Sequence, residues 1–594
     1  SGGGTLSATD SGSHPIGSLA LGDFSGGGTL NGPGGLVVNG NFTNFANATV
    51  SLGNLVVGGT NIILANGSAL TVASNFNLQA ASVTTQELIS GDPNSGPGAL
   101  TTEGNINVNH GVELEYMTWN FDLGTNVMNM TGKLTIGKIP GLPVSVEWIS
   151  GTGLWAANDY FAMADSLGNN PGSIGELDVS GGSLTISNTT YRCLIGNGGA
   201  ATINVSGGSL QFAGPTSIQL GGDTSFPQTG ASGTLTISDS GSVTIGPASL
   251  GLSLAANNGV ASGITGTINL NGGTLTTWPK IANGTNNANG QSFINFNGGT
   301  LKAGTNNSSF LQGLTQATVQ SGGAIIDDGG HAITIGQSLV DGGSGGGLTK
   351  LGSGTLILTN TSTYSGSTTV SNGTLEVDGN LSASSVTVAS GGALSGNGTL
   401  GAGVTVNAGG TLAPGTNAPG ILTINGSLEL DGSLQIAVNK ALTISNSMVT
   451  VSGSVVNGGT GTVAITNAGS ALAVGDTFQV FNSPVANGAA LTVAGGGAGV
   501  VWTNKLALDG SIQVLSAAAP INPLPGVVQF NVSGNTLNLF WPTNAGWILQ
   551  TQTNALSVGL NTNWVTVPGS TSVTNLSVTI NPTNGAVFYR MTHP

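Results

Sequence analysis

The sequence predicts an all-β chain: a parallel β-helix (β-solenoid) followed by a small C-terminal β-sandwich. Three observations predict it. Apolar and polar residues alternate in short runs along most of the 594 residues. Glycine, present 102 times, sits between those runs where the chain must turn. One short phrase also recurs five times through the middle, at Leu177–Ile186, Ile203–Phe212, Leu235–Ile245, Ile268–Thr277 and Ile294–Ala303. Its starts step by 26, 32, 33 and 26 residues. A repeat on this scale is a building unit that buries its apolar face only by stacking on its neighbours.

The phrase explains itself residue by residue. In the second copy Ile203, Val205, Leu210 and Phe212 are apolar, with Asn204 and Gln211 between them. Period two puts one set inward and the other toward water. Ser206-Gly207-Gly208-Ser209 separates the two short strands, and glycine tolerates corners that a Cβ resists. Strand, corner, strand and loop make one coil, and each coil rises about 4.8 Å on the last. Polar corner residues such as Asn271 and Asn297 occupy equivalent places and can ladder. The third copy carries an extra residue between its strands, so a bulge is expected at Ser238–Ser242.

Composition narrows the function. Charged residues are 6% of the chain, against ~25% in an average soluble protein. The net charge is −15, from 24 acids and 9 bases, which argues against a nucleic-acid partner and a polybasic membrane anchor. Cys193 is the single cysteine, so no internal disulfide or zinc cluster forms. It is expected as a small buried hydrophobe. No run of 18 apolar residues predicts a transmembrane segment. The opening at Ser1 in repeat-like sequence fits a processed, exported protein.

Five segments follow in order. Residues 1–102 are expected to form N-terminal β-helix coils. Residues 103–170 depart from the phrase and are expected as an irregular aromatic and acidic region within or inserted in the β-helix. Residues 171–515 continue as regular β-helix; at about 24 residues per coil, 1–515 would hold about 20 coils and span roughly 100 Å. Residues 516–526, with Pro520, Pro523 and Pro525, make a linker. Residues 527–594 hold six short strands with turn signals.

Within the regular part, Gly346-Gly-Leu-Thr-Lys-Leu-Gly-Ser-Gly-Thr-Leu-Ile-Leu-Thr-Asn360 runs on through Tyr364-Ser-Gly-Ser-Thr-Thr-Val370 to Gly373-Thr-Leu375. This stretch resembles the autotransporter-associated β-strand repeat of bacterial passenger domains. The resemblance implies a right-handed parallel β-helix, export, and a place outside the cell or on its surface; it implies no catalytic residues. Autotransporters end in a membrane β-barrel, and no barrel-like run of strands occurs here. The C-terminal text Trp547–Asn554, with Phe588-Tyr-Arg-Met591, is similar to C-terminal modules of large exported proteins in Verrucomicrobia-like bacteria.

Three groups of residues are candidates for chemistry. Glu113 and Glu115 lie two apart beside Trp119, Trp148, Trp155 and Tyr160, and carboxylates beside aromatics suit glycan contact or cleavage. The alternative for this region is irregular coils packed by their own aromatics. Asp327-Asp328, near His331, is a second acid pair; together with Glu113 and Glu115 it is a candidate for Ca²⁺, although turn formation explains it equally. No other cofactor is expected. Trp541, Trp547, Trp564 and Arg590 mark the C-terminal module as an assembly element.

The expected function is that of an extracellular structural protein, a solenoid subunit that joins copies of itself head to tail into a bacterial surface filament or layer. A glycan-binding surface adhesin is the alternative. A secreted polysaccharide lyase or hydrolase is a third reading, disfavoured by the scarcity of basic residues along the chain. The expectation is therefore not an enzyme.

Overall fold

A computed structural model describes most of residues 98–517 and 528–592 with their side chains. Before residue 98 it describes mainly the backbone of strands, the first at Thr5–Ser7. Residues 518–527 and 542–547, and short loop segments elsewhere, lie outside the described residues. The linker at 516–526 falls mostly among these, apart from the end of the strand Ser511–Ser516.

Nearly every strand up to residue 495 pairs in parallel with the strand one coil before and one coil after. Among the described residues one sheet holds 27 strands and a second 16. The five-copy region shows why. Leu177, Ile203, Leu235, Ile268 and Ile294 stand in one register column. Leu184, Leu210, Val243, Leu275 and Leu301 form a second. Phe161, Cys193, Ile218, Leu252 and Ile281 form a third on the other large sheet. All fifteen side chains are buried. Each coil alone would expose its apolar row; the next coil covers it, so burial and axial hydrogen bonding come from one stacking step.

The corners behave as their glycines require. Gly208 lies so close to the preceding coil that a Cβ there would run into the Gly181 carbonyl. Gly273 combines such an approach, to the Gly241 carbonyl, with a φ of +60°. The expected bulge is present: the register slips between Asp239 and Ser242, and Asp239 takes a φ of 48°. Asparagine ladders join neighbouring coils, with Asn295 Nδ2 donating to Asn269 Oδ1 at 2.9 Å and Asn297 Nδ2 more weakly to Asn271 Oδ1 at 3.5 Å.

In 103–170, expected as irregular and within or inserted in the β-helix, the described strands pair in parallel with neighbouring coils, and the register shifts between Phe121 and Val127. Met117–Thr131 and Pro143–Ala157 are long strands that stack on each other and on the regular coils at Ile174–Val179 and Ser183–Asn188. The described strands there carry larger core residues than the five copies do, which disguises the repeat.

A small antiparallel element packs on the solenoid's last coil. Thr477–Gln479, Val501–Lys505 and Ser511–Ser516 form an antiparallel sheet, and the single-turn helix Leu506–Asp509 sits between the last two of these strands. Leu506, Ile512, Val514, Phe478 and Trp502 are buried there, and Trp502 Nε1 donates to the Gly495 carbonyl at 2.9 Å. Among the described residues these strands pair only with one another and not with the last solenoid strands Val485–Ala486 and Thr492–Gly495; side chains reach that coil instead, with Asn504 Nδ2 donating to the Gly488 and Leu491 carbonyls at 2.9 and 2.8 Å.

The C-terminal module consists of two three-stranded antiparallel sheets. Gln529–Ser533, Thr536–Phe540 and Asn575–Thr579 make the first; Val565–Thr566, Ile548–Asn554 and Ala586–Thr592 make the second. Leu539, Trp541 and Leu549 form a small shared core.

Candidate functional site

The three tryptophans expected to face a glycan face inward. Trp119, Trp148 and Trp155 are 0%, 1% and 2% exposed. Trp119 stacks on Phe121 with ring centres 4.4 Å apart, Phe121 stacks on Trp148 of the next coil at 5.0 Å, and Trp155 meets Phe161 edge-on at 6.3 Å. The Trp119 indole N–H donates to Thr102 Oγ1 at 3.3 Å. These rings are core, not sugar platforms, because they occupy the inward parity of their strands. Gly153 leaves the space that the Trp148 ring fills. Tyr160 differs: it is half-buried and lies 4.8 Å from the ring of Tyr191, which is 40% exposed. Beside it the Arg192 guanidinium reaches Asp223 at 2.6 Å and Thr224 at 2.7 Å.

Glu113 lies in the strand Val112–Leu114; its side chain, and all of Glu115, fall outside the described residues. Asp327 and Asp328 are not free to take a metal as expected, because each already faces an ammonium. Lys302 approaches Asp327 at 3.0 Å, and Lys350 pairs with Asp328. Burial opposes the charge of Asp327, yet the Gly329 N–H and the Lys302 ammonium outweigh it and hold the carboxyl below its usual range. Asp328 and Lys350 are wholly enclosed. Asp328 Oδ1 accepts N–H bonds from Gly330 at 2.8 Å and Gly354 at 2.9 Å. Lys350 Nζ also donates to the carbonyls of Gly352 at 2.8 Å, Asn372 at 3.0 Å, Leu351 at 3.1 Å and Gly354 at 3.2 Å. These carbonyls and the carboxylate more than match the three N–H donors of the ammonium and offset its lost hydration. Sequence reasoning passed over Lys350, although it alternates in phase with Leu348 and so sits on the inward face.

A second buried network lies a few residues on. The Tyr364 hydroxyl meets Thr368 Oγ1 at 2.7 Å, and Thr368 meets Ser384 Oγ at 2.7 Å. Burial pushes the Tyr364 phenol up to about 12. Both networks tie together the coils on which one comparison falls. Residues 348–377 match the passenger-associated transport repeat. This is a repeat of exported, surface-associated autotransporter passengers. The matched stretch thus spans Lys350 and Tyr364, and its side chains Lys350, Asn360, Ser362 and Thr368 bond to groups on other coils. No curated protein matches the chain.

In the module the structure separates the expected residues. Trp541 is core, 7% exposed, and Trp547 lies outside the described residues. Trp564 and Arg590 come together: the guanidinium stands 4.3 Å over the indole, and Arg590 Nε donates to Gln550 Oε1 at 3.0 Å. Among the described residues no helix is long and apolar enough to cross a membrane.

Proposed function

We propose that this chain is a structural protein of the bacterial surface, a β-solenoid shaft that carries a terminal β-sandwich. The shaft winds right-handed, as crossovers between parallel strands nearly always do. One observation carries the reading: among the described residues, basic groups of the shaft pair with carboxylates of a different coil. Arg192–Asp223, Lys302–Asp327, Lys350–Asp328 and Lys440–Asp476 each bridge different coils. The glycan-cleaving reading would have to do without Trp119, Trp148 and Trp155 as sugar platforms, since these rings are core.

The finer form of the proposal is that copies join head to tail into a filament or layer. The module offers one surface for that contact. Among the described residues its edge strand Gln529–Ser533 pairs on one side, with Thr536–Phe540, and exposes Phe530 and Val532. An exposed strand edge of this kind pairs readily with another chain, and a contact that does not close on itself gives a fibre. Negative-stain imaging of the purified chain at rising concentration tests it. Filaments one solenoid wide are expected; isolated rods at every concentration would overturn it. The adhesin alternative now rests on the Tyr160–Tyr191 pair, and a glycan array run with Y191A tests it; a binding pattern unchanged by the substitution, or no binding at all, removes it.

A further inference from the structure

The loop 555–563 of the module is built inside out. Beneath it lie two amide side chains, Gln552 and Asn554, both buried. Gln552 Nε2 donates to the Asn561 carbonyl at 3.0 Å, and its Oε1 accepts from the Asn561 N–H at 2.9 Å. Asn554 Nδ2 donates to the Gly559 carbonyl at 2.6 Å, and Asn563 Nδ2 donates back to Asn554 Oδ1 at 3.2 Å. The polar groups therefore hold the loop down, while its large side chains are turned out: Leu556, Val558 and Leu560 are 84%, 54% and 66% exposed. Three aliphatic groups held clear of a core by buried hydrogen bonds are costly in water, and a rigid loop cannot retract them.

What surrounds the loop indicates what covers it. Gln550, Gln552 and Asn554 share one face of their strand, and Arg590 and Phe588 lie opposite Gln550 and Gln552 on that same face. Trp564 stacks there on Arg590. All 24 acids of the chain lie at or before Asp509; after it Arg590 is the only lysine or arginine, and there is no carboxylate side chain. The shaft would thus be repelled by a negative surface that the module can approach. Protruding aliphatics, flanked by an indole and a cation and free of acids, match the layered chemistry of a bilayer face: acyl chains, interfacial ring, anionic headgroup. We propose that this face of the module docks on an anionic lipid surface, with Leu556, Val558 and Leu560 entering the acyl boundary and Trp564 and Arg590 at headgroup level. One such loop binds weakly and reversibly, so several copies on one surface multiply its effect. The proposal uses a different surface from the edge strand Gln529–Ser533 and does not depend on filament formation.

Sedimentation of the full chain with vesicles tests it, using phosphatidylcholine alone and phosphatidylcholine mixed with phosphatidylglycerol. The chain is expected to pellet with the mixed vesicles. L556S/V558S/L560S should bind at least tenfold more weakly, and R590Q should lose the preference for phosphatidylglycerol. Because the triple variant could disturb the loop, a second readout uses the unaltered chain: brominated acyl chains should quench its tryptophan emission, and W564F should abolish that quenching. Failure of the unaltered chain to bind either vesicle, or equal binding by the triple variant, overturns the proposal. So does a concentration-dependent dimer that the triple variant dissolves without any vesicle binding, which would assign the loop to a second copy of the chain.

Discussion

Lys350 and Asp328 face each other across two stacked coils with neither side chain reaching solvent. The pair is the charged counterpart of the apolar columns around it. Removing one member strands the other: K350M should destabilise its coils by about 3–5 kcal/mol, the usual cost of an uncompensated buried charge. K350M/D328N should recover part of that loss, because asparagine is neutral and its oxygen still accepts from Gly330 and Gly354. Hydrogen exchange at those two amides is the suitable measurement, since a solenoid opens locally rather than all at once.

The tryptophans provide a second test. W148A should cost about 3–5 kcal/mol, the range for emptying a large core site. Y191A, at a partly exposed ring, should cost well under half of that. Comparing the two by local hydrogen exchange separates core from surface directly.

That contrast also marks what was legible in the sequence. Parity was readable: every inward residue of the five copies falls where alternation put it, and the Asp239 bulge follows from one extra residue. Residues 117–157 obey the same parity, yet large rings in place of Leu and Val hid the coil and made core look like a binding face. Whether an aromatic points in or out is set by its phase within the strand, and the phase could not be counted where the corner phrase was missing. Lys350 failed to stand out for the opposite reason: its phase was clear, but its five acceptors come from backbone and from another coil, which sequence spacing does not display.

Two glycines distinguish strain from contact. G273A should cost about 1–3 kcal/mol or more, because the alanine meets both an unfavourable φ and the Gly241 carbonyl. At Gly313, with φ +72° and open space around it, G313A should cost only about 1 kcal/mol. Equal losses on thermal melting would mean that coil-to-coil approach is unimportant at the corner.

Acidification should act in opposite directions at two acids. Asp327 has a lowered folded-state pKa, so its contribution is present above the unfolded carboxyl range and disappears as pH falls through the lowered value. Glu376 is shifted up, first by burial and then by Asp378, so the folded chain takes up its proton before the unfolded chain does. Falling pH therefore stabilises its coil across the window between the unfolded value and the raised one. E376Q should be more stable than the natural chain at pH 7 and should lose that gain on mild acidification; denaturation followed against pH checks both signs.

Cys193 should resist alkylation. Burial pushes its thiol up to about 12, and its side chain lies in the third apolar column. Iodoacetamide labelling of the native chain should be negligible and should become complete in denaturant; rapid native labelling would mean that the coils around it open.

The antiparallel element within Thr477–Ser516, packed on the shaft's last described coil, has a consequence for how such a chain evolves. Its place along the shaft within one chain is written in the gene as a number of coils. Duplicating one coil would move the module outward by a single strand spacing, about 4.8 Å, without altering a residue of it. Selection can therefore set distance and docking chemistry separately.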